Sequence, residues 1–263
     1  MIPEPFYTPD NCAAAYELRW SLALFPSLPL PPSDQWLNEL KAATERDHIR
    51  ILEQHLLPNG TVQFLLSTQP TVAPPAIVKS IKGRLQTVLR PLAAVGFRRN
   101  FRLTSVGEAS VKVVENYVAQ QLEHHPLASH RSQQLLQRFS LTFNDVELTE
   151  PLNSSHGQYV LALHIVLVHG SRWRTAEPAF LEKTRDAILT AAAKKQHRIS
   201  RLSLLPDHVH FTLKIRYEVS PAEVALSYMN NIAFEHGMLN LWMPSYYAGT
   251  IGPYDMNTIR RNL

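Results

Sequence analysis

The chain has 263 residues, 45% of them hydrophobic and 18% charged, with a formal net charge of +4 and one cysteine, Cys12. That length holds one large domain or two of ordinary size, and the composition excludes a disordered chain and a disulfide-stapled one. Prolines at 3, 5, 9, 26 and 29 break the early apolar runs that a signal peptide or membrane span would need, so a cytoplasmic protein with no membrane partner is expected.

In chain order, Tyr16 to Phe25 reads as an apolar strand, followed by a proline-rich stretch and a helical pattern from Asp34 to Arg46. The block Leu56-Leu-Pro-Asn-Gly-Thr-Val-Gln-Phe64 leads to Val72-Ala-Pro-Pro, where proline opens a helix. Thr104-Ser-Val-Gly107 then precedes a helix with Val111, Val114, Val118 and Leu122 as its core stripe and Tyr117 beside that stripe. A polar stretch from about Leu127 to Gly157 reads as a linker.

After the linker the same blocks return. Tyr159 to Val168 is a strand and Glu177 to Lys195 a helix. Leu204-Leu-Pro-Asp-His-Val-His-Phe211 corresponds to the Leu56 block with one residue fewer. Val219-Ser-Pro-Ala opens another proline-started helix, and Gly249-Thr-Ile-Gly252 matches Thr104 to Gly107. Four blocks in one order at nearly constant offset indicate an internal repeat, dividing the chain into units 1–135 and 150–263. Each unit is expected to run strand, helix, strand, helix, strand, helix. The fold class is α+β, each unit an antiparallel sheet with helices on one face.

Period-two alternation puts His208 and His210 on one face of a strand, where two imidazoles can share a divalent ion. The run Leu-Pro-Asp-His-Val-His, between a basic helix and a proline-started helix, resembles the HUH motif of single-tyrosine transposases, the insertion-sequence-200-like and REP-associated group. In the first half, Tyr16 to Phe25, Ile81-Lys82-Gly83, and Ser105-Val-Gly107 with Tyr117-Val-Ala-Gln-Gln121 resemble other blocks of that family. The resemblance implies two tandem ferredoxin-like HUH domains forming an internal pseudo-dimer. It also implies metal-dependent nicking and strand transfer of single-stranded DNA, usually guided by a hairpin, through a 5′-phosphotyrosine intermediate. By the same resemblance Tyr117 is the nucleophile and Gln121 the third metal ligand beside His208 and His210.

The two halves depart from the family in opposite ways. The first has Thr61-Val62-Gln63 in place of the histidine pair but keeps the tyrosine helix, with Tyr117 and Gln121 one turn apart on the same face. The second has the histidines, but Asn262 falls opposite Tyr117 and the chain ends one residue later. One composite site built from His208, His210, Gln121 and Tyr117 accounts for both losses. Mg²⁺ or Mn²⁺ would be its cofactor, Mn²⁺ suiting imidazole at least as well.

Lys79, Lys82, Arg84 and Arg90, then Arg98, Arg99 and Arg102, and then Lys194, Lys195, His197, Arg198 and Arg201 form basic clusters suited to DNA phosphates. Of these, Lys79, Lys82, Arg84, Arg98, Arg99, Lys194, Lys195 and Arg198 are the expected DNA contacts. Trp173, Trp242, Tyr246 and Tyr247 could stack bases or pack in the core. Two competing readings stay open: a retired transposase that only binds DNA hairpins, and an RNA-binding module on the same sheet topology. Whether the fused chain also forms a homodimer is left open.

Overall fold

In the computed structural model, which describes residues 4–124 and 130–253, the first expected strand is split at Leu18. Its parts are β1 (Ala13–Glu17) and β2 (Arg19–Pro26). Next come α1 (Leu37–Glu45), β3 (Ile49–Leu56), β4 (Val62–Thr68), α2 (Pro74–Leu89) and β5 (Phe97–Val106). Then follow α3 (Val111–Ala119), α4 (Gln121–His124) and α5 (His130–Gln137). The short strands β6 (Ser140–Thr142) and β7 (Leu152–Asn153) lie in the stretch read as a linker, which is therefore partly built into the sheets. The second long strand splits at Leu161 into β8 (Gly157–Val160) and β9 (Ala162–His169). The chain continues through α6 (Pro178–Lys195), β10 (Arg198–Leu204), β11 (His208–Lys214), α7 (Pro221–His236) and β12 (Trp242–Ile251).

Two six-stranded sheets result, ordered β3-β4-β2-β5-β8-β7 and β1-β12-β9-β11-β10-β6. The antiparallel cores β3-β4-β2-β5 and β10-β11-β9-β12 have one topology, strand order 2-3-1-4 within a β-α-β-β-α-β unit. This is the ferredoxin-like arrangement. It corrects the expected alternation of single strands and helices: β3 and β10 add a strand ahead of β4 and β11. In β3 the apolar alternation is diluted by Arg50, Glu53, Gln54 and His55, because one edge of that strand has no neighbour in the sheet.

Neither sheet is made by one half of the chain alone. β1 pairs in parallel with β12, and β8 pairs in parallel with β5, so each half lends a strand to the other's sheet. The crossing is held by matched bonds. Arg19 N donates to Thr250 Oγ1 at 2.9 Å, and Ala162 N donates to Ser105 Oγ at 3.1 Å. Ser105 Oγ donates to Ile251 O at 2.6 Å, and Thr250 Oγ1 to Val106 O at 2.7 Å. The serine and threonine thus play one role in each half. Gly252 sits at this crossing, where a Cβ would come 1.8 Å from Ser105 O, so only glycine fits.

The amino-terminal arm strengthens the junction. Tyr7 Oη accepts from Trp242 N at 2.8 Å, while Asn230 Nδ2 donates to Tyr7 O at 2.7 Å. Local signals end the helices as written in the sequence. Pro74, Pro178 and Pro221 lie in first turns, Ser220 and Glu223 form a capping box on α7, and Gly237 closes that helix at φ 65°. Among the described residues no helix is long and apolar enough to cross a membrane.

Candidate active site

Alternation along β11 decides which side chains face the site. Val209, Phe211 and Leu213 are buried in the core with Leu181 and Ile188 of α6 and Met229 and Ile232 of α7. His208, His210, Thr212 and Lys214 therefore point to the opposite face of the sheet. The rings of His208 and His210 lie with centroids 4.9 Å apart.

That opposite face is covered by α3, which comes from the other half of the chain. Ser110 caps the helix, its Oγ accepting from Val113 N. Val111 and Val114 pack against Leu148, Ala162 and Ile251. Arg201 Nη1 on β10 lies 3.5 Å from Glu115 Oε1, both side chains largely shielded from water. The helix so held presents Tyr117 edge-on to His210, ring centroids 5.9 Å apart, and to His164, 6.3 Å apart. A cavity of about 460 Å³ opens here, lined by Val113, Val114, Tyr117, His164, Val166, His210 and Tyr247. Tyr117 remains 46% exposed, so it is reachable from solvent and not a packed core aromatic.

Each histidine of the pair has an orienting neighbour. His208 Nδ1 lies 2.7 Å from Asp207 Oδ1. Burial works to raise the Asp207 carboxyl, but the hydrogen bond and charge of His208, with Arg174 3.8 Å away, hold it below the ordinary carboxylate value. His210 Nδ1 lies 3.0 Å from His164 Nε2, the two rings stacked at 5.2 Å. Burial pushes His164 down to about 4, so it is neutral at pH 7. Nδ1 is thus engaged on both rings.

Gln121 departs from the expected geometry. The helix breaks at Gln120 (φ −98°, ψ 13°), so Gln121 begins α4 and does not share Tyr117's exposed face. It is wholly buried, its Nε2 donates to Tyr117 O at 3.0 Å, and its Oε1 is buried without a hydrogen-bond partner among the described residues. An orphaned amide oxygen is costly unless a donor or a cation meets it. No group of three His, Cys, Asp or Glu side chains among the described residues is arranged to hold a metal ion.

At the equivalent register of the amino-terminal sheet the chemistry is different. Gln63 faces Ala23 across the β2–β4 pair as His210 faces Val166 across β9–β11. Gln63 is fully buried and its Nε2 donates to Ser21 Oγ at 2.9 Å. Thr61 is buried as well. Asn262, aligned with Tyr117, lies outside the described residues.

Residues 157–262 match the family model described as Transposase IS200 like. The matched stretch is the half that carries His164, His208 and His210. Among solved structures, the chain is similar to a REP-associated tyrosine transposase bound to a REP hairpin, at 16% identity and a TM-score of 0.30. That likeness covers 39% of this chain and 61% of the other, less than two thirds of its length. A Deinococcus radiodurans protein assigned as a transposase is similar at 16% identity and a TM-score of 0.33, over 46% of this chain and 95% of that one. Neither adds weight beyond the family match. No curated protein sequence matches the chain.

Some features of this site escape a reading of the sequence. His164 and Tyr247 line the cavity from β9 and β12, and Tyr247, its hydroxyl raised by burial, lies 5.6 Å from the His164 ring. A histidine inside an otherwise apolar strand was the available signal for His164. Arg174 reaches Asp207 from the loop after β9. Of the expected DNA contacts, none lines the cavity. Arg84 is held by Asp47 at 3.0 Å, Lys82 Nζ donates to Arg98 O, and Arg198 donates to Asp145 O at 2.7 Å. Lys79, Arg98, Arg99, Lys194 and Lys195 are exposed on α2, β5 and the last turn of α6. Trp242 and Tyr246 are buried, whereas Trp173 is open to solvent.

Proposed function

We propose that the protein is a transposase-type enzyme that cuts and rejoins single-stranded DNA at one composite site, built from two tandem HUH-like units in a single chain. The observation that supports this reading is the approach of Tyr117, on a helix of the first half, to His210 on a strand of the second. Tyr117 is the nucleophile. His208, His210 and Gln121 are the ligands of a divalent cation, Mg²⁺ or Mn²⁺. When bound, that ion supplies positive charge beside the scissile phosphate.

A phenol, with an ordinary pKa of about 10, is a weak nucleophile at neutral pH, so its position is the first thing the protein provides. Tyr117 Oη attacks the phosphorus, a tyrosyl–phosphate bond forms and the bond to the 3′ oxygen breaks. The phenolic proton passes through solvent to the departing oxygen. The products are a 5′-phosphotyrosine and a free 3′-hydroxyl, and attack by a 3′-hydroxyl reverses the step without ATP. The apolar wall of Val113, Val114 and Val166 limits water around the phosphotyrosine, which favours rejoining over hydrolysis. Lys79, Arg98, Arg99, Lys194 and Lys195 contact phosphates of a DNA strand that extends from a hairpin, while Lys82, Arg84 and Arg198 serve structure first.

The test is a covalent adduct on a denaturing gel after incubation with labelled hairpin oligonucleotides from the flanking DNA and Mn²⁺. The expected result is an adduct with the wild type and none with Tyr117→Phe or His208→Ala. Binding of the hairpins with no adduct under any metal would replace this reading with that of a DNA-hairpin-binding protein.

A further inference from the structure

We propose that the histidine pair works as a three-histidine unit, in which His164 is a positioning residue that fixes the proton of His210 on Nδ1 and turns its Nε2 toward the cation. The inference rests on the metal-binding reading of His208 and His210.

The geometry is specific. His164 Nε2 lies 3.0 Å from His210 Nδ1, and the two rings are nearly parallel, 23° apart. A neutral imidazole that binds a cation through Nε2 keeps its proton on Nδ1, and that proton needs an acceptor. His208 has the Asp207 carboxylate in this role, at 2.7 Å. His210, 6% exposed, has His164. The acceptors differ in kind, a carboxylate for His208 and an imidazole for His210, so the two rings are held by unlike groups.

The same chain contains the control. By strand register Ser21 stands where His164 stands, and Gln63 where His210 stands. There the positions are again hydrogen-bonded to each other, Gln63 Nε2 donating to Ser21 Oγ. The half without a histidine pair thus also lacks the third histidine, and a different bonded pair fills both positions. A merely space-filling role for His164 gives no reason for its partner position to differ in step.

Two measurements test this on the full chain. Long-range proton–nitrogen NMR spectra of the metal-free protein report which nitrogen of His210 carries the proton. The expected result is Nδ1–H in the wild type, a shift toward Nε2–H in His164→Ala, and recovery of Nδ1–H in His164→Gln, whose amide oxygen can accept the same bond. Mn²⁺ binding followed by electron paramagnetic resonance should weaken about 10–100-fold in His164→Ala and recover in part in His164→Gln. An unchanged His210 tautomer in a folded His164→Ala protein overturns the proposal. So does equal weakening in both variants, which would mean that only packing was lost. A wild type with Nδ1–H on His210 but no Mn²⁺ binding would uphold the positioning role and sink the metal reading alone.

Discussion

The two lobes share a core topology and differ in chemistry at the third core strand, on the face turned away from the helices. In the carboxy-terminal lobe that place holds His208 and His210, with Asp207 and His164 behind them. In the amino-terminal lobe it holds Thr61 and Gln63, buried and closed by Ser21. The lesson is that the fold tolerates either solution, because both satisfy the buried polar atoms with a bond across neighbouring strands. Only one of them keeps nitrogen donors beside a solvent-reachable tyrosine. On the proposed reading, one lobe carries the reactive centre and the other a structural counterpart on the same core.

The strongest way to break the comparison is to remove the reactive groups from one lobe and their counterparts from the other. Tyr117→Phe should lower adduct formation on the order of 10³-fold or more, since nucleophile and supporting groups act as a unit. Gln63→Ala should leave adduct formation unchanged while costing about 1–3 kcal/mol in denaturant unfolding, from an unpaired buried hydroxyl at Ser21. Loss of adduct in a folded Gln63→Ala protein would mean that the amino-terminal position is more than structural.

Acid should separate the lobes next. His197, buried beside Tyr228 in the carboxy-terminal lobe, is pushed down to about 4 by burial and by Lys195 and Arg216, whereas His48 and His55 of the other lobe are open to solvent. Its folded-state pKa lies below the unfolded value of about 6.5, so the unfolded chain binds the proton first. The stability from this group is complete above about pH 6.5 and is lost as pH falls toward about 4, by up to about 3 kcal/mol. Hydrogen exchange across that range should show protection falling first in β10 and α7, and His197→Gln should reduce the pH dependence in part, the rest coming from His164, also pushed down to about 4 by burial. Equal loss in both lobes would contradict this.

A smaller effect is expected at the helix that bridges the lobes. Glu115→Gln removes the carboxylate facing Arg201. It should cost about 1–3 kcal/mol and lower adduct yield, because α3 holds Tyr117 over a sheet that its own half does not build. The finest test is at the crossing itself. Ser105→Ala and Thr250→Val should each cost about 1–2 kcal/mol, equally within error, because the two hydroxyls make matched bonds. Unequal costs would show that the symmetry of the contacts is not a symmetry of energies.

Much of this was legible in the residues. The four repeated blocks predicted matching halves, and both ferredoxin-like cores follow their order. Period two placed His208 and His210 on one face, and the valine stripe predicted which side of α3 packs, leaving Tyr117 beside it. These are local properties, set by the pitch of strands and helices and by proline and glycine at their ends.

What the sequence could not supply depends on which distant segments meet. The breaks at Leu18 and Leu161 and the exchange of β1 and β8 between sheets arise from pairing between distant segments, Ala13 with Ser245 and Phe101 with Gly157. One non-helical residue, Gln120, turns Gln121 inward, which its spacing from Tyr117 does not record, and the bond of His164 to His210 spans 46 positions. Backbone pitch writes itself into spacing along the chain. Contacts between separate strands and helices are decided by how buried surfaces fit together, and no spacing records them.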